Sequence, residues 1–340
     1  MSEASETIVI AIDAVGGDNA PGAIVAGAQQ AAAELGVPIV LVGPPDQVGD
    51  TGGLELIACT EVIDMKEEGA RAVRRKKDSS LVRCAELVRD GQASAMLSAG
   101  NTGATVASAL LRMGRAKGVN RPAIATPIPV PGTTPTVLLD AGANAEVQPA
   151  WLVQFAQMGT AYARARYGLD TPRVGLLNIG EEESKGNDLA KEAHGLLRDA
   201  PGINFIGNVE GRDLMSDDVD VVVTDGFTGN VALKTLEGGM KFLRDAVFTA
   251  LVSTEEAIKA SEVVLPLLLP LAEELDPDTH GGAMALGLNG VCIIGHGSSS
   301  AKAIVNAVKV ARDMVEGDLV AKVARAVAAG AGEPADSPAG

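Results

Sequence analysis

The segments of this chain equipped for chemistry are short, polar and rich in glycine. Residues 98–109 read SAGNTGATVASA, in which the apolar run Ala95-Met96-Leu97 gives way to Gly100, Asn101, Thr102 and Gly103 and then to an alanine-rich stretch. Glycine permits backbone angles closed to other residues, so the segment reads as a tight turn. It also reads as an anion site, because bare main-chain N–H groups and the positive end of a following helix converge there. The same order of residues recurs in DAVGGDNAP (13–21), DAGANAE (140–146), NIGEEESKGND (178–188), TDGFTGNVALK (224–234) and GHGSSSAKA (295–303). Six such loops on one edge of a parallel sheet describe a cleft rimmed with main-chain donors, amides, hydroxyls, one lysine and several aspartates. That lining suits phosphate or another oxyanion. No Gly-x-Gly-x-x-Gly follows the first apolar run, and no Gly-x-x-x-x-Gly-Lys-Ser/Thr occurs. Orthophosphate or a small phosphoryl group therefore fits better than ATP or NAD.

Loops of this kind need strands before them and helices after. Apolar runs occur at 8–13, 38–43, 93–99, 136–142, 173–180, 220–226 and 290–297. Several are apolar almost throughout, as expected of strands buried on both faces. Helix-like segments separate them at Ala23–Glu34, Leu81–Arg89, Thr105–Arg115, Trp151–Ala165 and Asp188–Leu197. This alternation predicts a three-layer α/β/α, Rossmann-like fold with a largely parallel sheet, in which ligands bind beyond the carboxyl ends of the strands. Residues 245–280 break the rhythm. Pro266 and Pro270 argue against one uninterrupted helix there, and nine residues from Val263 to Leu271 are too few to span a bilayer. An insertion or a helical hairpin is expected. Residues 1–327 are read as a single domain carrying this excursion, with a mobile tail from Ala328.

Composition narrows the classes further. The 340 residues carry a net charge of −16, which argues against nucleic acid as a partner. Cys59, Cys84 and Cys292 form no Cys-x-x-Cys pair, and His194, His280 and His296 are scattered, so buried thiols are expected rather than disulfides or a zinc site. The opening MSEASET lacks the order of a secretory signal and no run of about eighteen apolar residues occurs, so a cytoplasmic protein is expected. Between Arg71 and Arg121, eleven basic residues face three acidic ones. The compact RAVRRKK run at 71–77 invites an acidic partner or an anionic substrate.

The combination of IDAVGGDNAP, RAVRRKKDSS, SAGNTGA, LLDAGAN, GLLNIGEEESKGN, FIGNVEGRDL, VVVTDGFTGN and HGSSSAKA, in that order from about Ile8 to Val315, resembles the acyl-acyl-carrier-protein:phosphate acyltransferases of bacterial phospholipid synthesis. The resemblance implies a reaction of an acyl carrier protein thioester with orthophosphate to give acyl phosphate and free carrier. It also implies a fold like that of phosphotransacetylases and the isopropylmalate dehydrogenase group, and a homodimer. Val15, where methionine is common, and Glu182-Glu183-Ser184 before Lys185 depart from the pattern without removing a candidate group.

The chemistry is consistent with that implication. A thioester is already activated and phosphate near neutral pH is partly dianionic, so positioning and charge management suffice, and neither cofactor nor metal is demanded. Lys185 is the candidate cation, a point charge on a flexible stem; an ordinary surface lysine is the alternative. Asn230 is the candidate donor to the carbonyl oxygen, with helix capping as its rival role. A carboxylate beside phosphate would repel it, so Asp225 is assigned an indirect part, orienting Lys185 or a proton. Asn101, Thr102 and Gly103, with the backbone of His296, Gly297, Ser298 and Ser299, are the candidate phosphate cradle. His296 is a secondary candidate acid for the departing thiol, whose pKa of about 8.5 makes such help optional.

Arg71, Arg74, Arg75, Lys76 and Lys77 form the expected docking patch for an acidic carrier protein. Val263, Val264, Leu265, Leu267, Leu268 and Leu269 read either as a shallow membrane contact, handing product to a membrane-bound glycerol-3-phosphate acyltransferase, or as part of a dimer interface. Two rival functions remain at this stage: a metal- and NAD-dependent decarboxylating dehydrogenase of the isopropylmalate type, and a membrane-associated scaffold.

Overall fold

Strands that are apolar on both faces must be covered by helices on both sides, and the computed structural model, which describes residues 7–330, has that arrangement. The first part of the chain forms β1 (Ile10–Asp13), α1 (Gly22–Leu35), β2 (Ile39–Gly43), α2 (Pro45–Val48), β3 (Glu55–Ala58), α3 (Gly69–Arg75), α4 (Ser80–Arg89), β4 (Ala95–Ser98) and α5 (Thr102–Arg112). The middle forms β5 (Ala123–Ile128), β6 (Thr136–Leu139), α6 (Pro149–Tyr167), β7 (Arg173–Leu177), α7 (Asp188–Asp199), β8 (Asn204–Val209) and β9 (Val221–Val223). Two long helices follow, α8 (Gly226–Leu251) and α9 (Glu255–Glu274), then β10 (Ala283–Leu286), β11 (Val291–Ile294), α10 (Ala301–Glu316) and α11 (Leu319–Gly330).

All eleven strands join one sheet in the order β3-β2-β1-β4-β11-β10-β5-β6-β9-β7-β8. One face packs under α1, α6, α7, α10 and α11 through residues such as Ile12, Leu97, Phe155 and Tyr162; the other packs under α3, α4, α5 and the start of α8 through Met96, Ile124, Leu138 and Val222. Full burial of each large side chain contributes about 1.5–3 kcal/mol. The seven predicted strands and five predicted helices are all present. β3, β5, β8 and β10 are additional. β5 escaped notice because it reads AIATPI, and Pro127 in a central strand contradicts the usual pattern.

Strand direction corrects a larger expectation. The strands β3, β2, β1, β4 and β11 are mutually parallel, as are β6, β9, β7 and β8. Between the two blocks, β10 is antiparallel to both β11 and β5, and β5 is antiparallel to β6. Three reversals leave the blocks pointing in opposite directions. The loops after β1, β4 and β11 therefore leave one end of the strands, and those after β6, β7 and β9 leave the other, so the six do not share one sheet edge. Sheet twist tempers the separation: β4 and β9 lie five strand steps apart, which at about 20–25° each turns one block roughly 100–125° from the other.

The excursion is a helical hairpin, and α9 is continuous through Pro266 and Pro270. A proline removes one intrahelical bond and crowds the preceding turn, which usually breaks a buried helix. Here α9 is largely exposed, so carbonyls left without a helical donor can be hydrated. Thr254 caps its start by accepting from the Ala257 N–H at 3.1 Å, and Glu255 and Glu256 complement the dipole there. No helix of the described residues is long and apolar enough to cross a membrane. Of the tail expected to be mobile, residues 328–330 complete α11, and 331–340 lie outside the described residues.

Candidate active site

The loops after β1, β4 and β11 make a first cluster. The Asp18 N–H donates to Gly297 O at 2.7 Å, and the Asn19 amide donates to Ser298 O at 3.0 Å. Gly17 sits between them with φ of +105°, and a Cβ there would lie 3.0 Å from Gly297 O and 3.1 Å from Ala99 O. Only glycine closes the cluster without displacing main chain. Below it Asp13 is buried, accepts from Ser98 Oγ at 2.7 Å and from the Val15 N–H at 3.3 Å, and lies beneath the turn where Gly100 N donates to Ser98 Oγ at 2.9 Å. Burial raises the Asp13 pKa, against the lowering effect of Ser98, Ser80 and the Val15 amide. Burial likewise pushes the Cys59 thiol up to about 11, with Asp78 adding to it, and Cys292 up to about 12. All three cysteines are buried and free, as expected.

Side chains in this cluster serve mainly to hold the loops. Asn101 caps α5 by accepting from Ala104 N at 3.0 Å, while its amide donates to Asp64 O, Met65 O and Glu67 O at 3.2, 3.1 and 2.8 Å. That amide is engaged with these three carbonyls and holds the loop. Ser299 is buried and donates to His296 O at 2.7 Å, and Ser298 Oγ is 2.8 Å from His296 Nδ1. What remains open are the main-chain N–H groups of Thr102 and Gly103 at the exposed N-terminus of α5. The 64–67 segment that staples Asn101 carried no signal in the sequence, being polar and without periodicity.

The loops after β6, β7 and β9 make the second cluster. The fully buried Asp140 accepts from the N–H groups of Ile124, Gly142, Ala143 and Asn144 and from the Asn144 side chain, at 2.7–3.1 Å. The Asn144 carbonyl accepts in turn from Gly226 N at 2.7 Å. A Cβ on Gly229 would lie 2.0 Å from Asp140 O, so glycine lets α8 seat directly on this loop. Asp225 caps α8, accepting from Thr228 N and Thr228 Oγ1, both at 2.8 Å. Capping thus falls to Asp225, and Lys185 is not among its contacts in this structure. Asn230, one turn into the helix, is exposed, lies against Gly142 and has no hydrogen-bond partner among the described residues. The rival capping role is excluded.

Lys185 belongs to the turn after β7, the strand beside β9. Asn178 donates to Lys185 O at 3.2 Å, and the lysine stem lies over Gly180, where a Cβ would come within 3.0 Å of Cγ. Among the described residues its Nζ reaches only Glu182, at 3.9 Å, in an exposed pair of little energetic weight. The structure therefore brings Asn230 and Asp225 together on α8 and places Lys185 at the same end of the adjacent strand. His296, Thr102 and Gly103 lie at the other strand ends. The connection is α8 itself: Glu237, seven residues or about 10 Å of helix beyond Asn230, stands 4.0 Å from His296 Nε2. The two clusters thus flank the first three turns of one helix.

Of the expected docking patch, Arg75 and Lys76 are paired with Glu67, and Lys76 also donates to Val62 O at 2.6 Å. Arg71, Arg74 and Lys77 are exposed and have no carboxylate partner among the described residues. In the hairpin, Val263, Val264, Leu267 and Leu269 are exposed, and Leu265 and Leu268 are half-buried.

Two opposed parallel blocks in one sheet, with helices on both faces, make up a Rossmann-like α/β fold. It superposes on the crystal structure of a branched-chain phosphotransacylase from Enterococcus faecalis with a TM-score of 0.59, over 91% of this chain and 99% of that one, at 16% identity. The chain belongs to the phosphate acyltransferase family: the sequence profile described as "Fatty acid synthesis protein" matches residues 8–322. It is 48% identical to the phosphate acyltransferase of Heliobacterium modesticaldum, covering 92% of this chain and 96% of that protein. It is 50% identical to the one of Pelotomaculum thermopropionicum, covering 92% of each.

Proposed function

We propose that this protein transfers an acyl group from the thioester of an acyl carrier protein to orthophosphate, releasing acyl phosphate and free carrier, and that the reacting groups meet along the first three turns of α8. A phosphate oxygen attacks the thioester carbonyl carbon, the carbonyl oxygen becomes an oxyanion, and the carbon–sulfur bond breaks as the thiolate leaves and takes a proton. The observation that carries this reading is the amide of Asn230, exposed on a helix seated against Asp140 and without a hydrogen-bond partner among the described residues. A donor fixed before charge develops stabilises the transition state without reorganisation.

Lys185 is the cation that draws orthophosphate to this end of the strands. The main-chain N–H groups of Thr102 and Gly103, together with the turn at Gly297, hold anionic oxygen from the other side of α8. Asp225 acts by fixing the helix start rather than by touching phosphate. The dehydrogenase and scaffold readings are not favoured by relatives of this similarity. The test is to incubate palmitoyl carrier protein with phosphate and trap acyl phosphate with hydroxylamine. Phosphate-dependent product is expected, and Lys185→Ala should raise the KM for phosphate far more than the KM for the acyl carrier. An unchanged phosphate KM would remove Lys185 from the site.

The acidic carrier docks on Arg71, Arg74 and Lys77. Exposed Phe242, Leu243, Val247 and Phe248 on α8, with Val263, Leu267 and Leu269 on α9, supply the face through which two copies pair. Sedimentation should report a dimer that Phe242→Glu with Phe248→Glu converts to a monomer. If the native chain sediments as a monomer and instead floats with liposomes at high salt, the strip serves a bilayer and not a second copy.

A further inference from the structure

Bordering the loop after β6, two adjoining cavities of about 560 and 470 Å³ lie at the amino end of β5, where the chain leaving α5 meets the start of α6. Leu110, Arg115, Asn120, Arg121, Gln148 and Trp151 line the first. The second shares Arg121, Gln148 and Trp151 and extends to Asn144 and Glu146. These volumes fall within the range of small-molecule sites. Neither guanidinium has a carboxylate partner among the described residues, whereas neighbouring Arg112 is paired with Glu86. In a chain of net charge −16 an unpaired pair of arginines is a local positive field.

The walls are held in advance of any ligand. Asn120 N donates to Gln154 Oε1 at 2.8 Å and Gln154 Nε2 donates to Gly118 O at 3.0 Å, which fastens the turn to α6. Arg115 donates to Asn120 O, and Arg121 stacks over Trp151 with its Cζ 5.1 Å from the ring centre. The second cavity leads back to the reacting groups. Its Asn144 accepts through the main chain from Gly226, the first residue of α8, and Asn230 stands one turn, about 6 Å, further along.

We infer that this cavity receives the phosphopantetheine arm of the acyl carrier, with the phosphodiester on Arg115 and Arg121 and the amide-bearing chain running past Trp151 and Gln148 towards Asn230. Orthophosphate alone would leave the indole, Leu110 and the side-chain amides without a role. A phosphodiester continued by an uncharged chain of amides uses them all. Glu146, in the lining of the second cavity, disfavours a second anion there and tolerates neutral amides. The inference rests on the acyl carrier reading above, and it separates two tasks: Arg71, Arg74 and Lys77 hold the protein part of the carrier, and this cavity holds its arm.

The experiment titrates soluble 4′-phosphopantetheine and unphosphorylated pantetheine into the full chain by calorimetry. In parallel it measures KM values with acyl carrier for the native protein, Arg121→Ala, Arg121→Lys and the triple reversal Arg71→Glu, Arg74→Glu, Lys77→Glu. Phosphopantetheine should bind and pantetheine should bind more weakly. Arg121→Ala should weaken phosphopantetheine binding and raise the acyl carrier KM by about tenfold, the scale of one lost charged hydrogen bond, with Arg121→Lys between and the phosphate KM unmoved. The triple reversal should raise the acyl carrier KM while leaving phosphopantetheine binding intact. Absence of phosphopantetheine binding to the native chain, or an Arg121→Ala effect confined to the phosphate KM, overturns the inference. Failure to form acyl phosphate would instead overturn the reaction, because arm binding is read without turnover.

Discussion

Asn101 and Asn230 each lie at the start of a helix that follows a glycine-rich loop, and they differ in what their side chains touch. Asn101 caps α5 and donates to three carbonyls of the 64–67 segment. Asn230 has no hydrogen-bond partner among the described residues: Asp225 has taken the cap of α8, and Asp140 has gathered the loose N–H groups of the loop beneath it. The first cluster spends its side chains on holding loops and leaves main-chain donors open; the second spends two aspartates on the frame and leaves a side chain open. Identical residue types are thus tied into the frame or left free according to whether a neighbouring acid has already satisfied the local donors.

That contrast is most severely tested by exchanging the losses. Asn230→Ala should lower acyl phosphate formation by roughly 10²–10³, the cost of removing one oxyanion donor, while shifting stability by no more than about 0.5 kcal/mol. Asn101→Ala should do the reverse, costing about 2 kcal/mol in urea denaturation through the lost cap and three orphaned carbonyls, with turnover of the folded fraction largely kept. A stable but inactive Asn101→Ala protein would erase the distinction.

A smaller effect sharpens the same comparison at the buried acids. Asp140 accepts from five donors, whereas Asp13 has fewer, and burial raises the pKa of Asp13. The native state then holds the Asp13 proton more tightly than the unfolded chain, whose value lies near 3.9, so ionisation costs native stability as pH rises from there to the raised native value. Asp13→Asn cannot ionise. Its melting temperature relative to the native protein should therefore climb with pH across that window and level off above it, as thermal unfolding between pH 4 and 8 will report. A difference that narrows as pH rises would mean that Asp13 gains more from its partners than burial costs it.

Much of the architecture was legible locally. Apolar runs such as IVIAID and DVVVTDG have too few polar residues for anything but buried strands, and the glycine loops that close them announced both clusters. β5 was not legible, because alanine, threonine and Pro127 carry little strand preference and its place between β10 and β6 is conferred by its partners. The continuity of α9 was misjudged because the cost of a helical proline depends on whether the freed carbonyl meets solvent, which local sequence does not state. Arg121 and Trp151 carried no motif; thirty residues separate them, and only the turn of β5 and β6 brings them into one cavity.

The order of residues alone determined which loops would carry donors, which side chains would be charged within them, and which family the chain joins, because each of these is written in residue type and short spacing. Only the folded chain decided that the loops leave opposite ends of the sheet and flank α8. Strand direction is set by pairings such as that of Val291 in β11 with Ala95 in β4, between segments nearly two hundred residues apart. A short apolar run is equally content in either direction, so its polarity within the sheet is settled by those distant hydrogen bonds and by the packing of the helices that close over them.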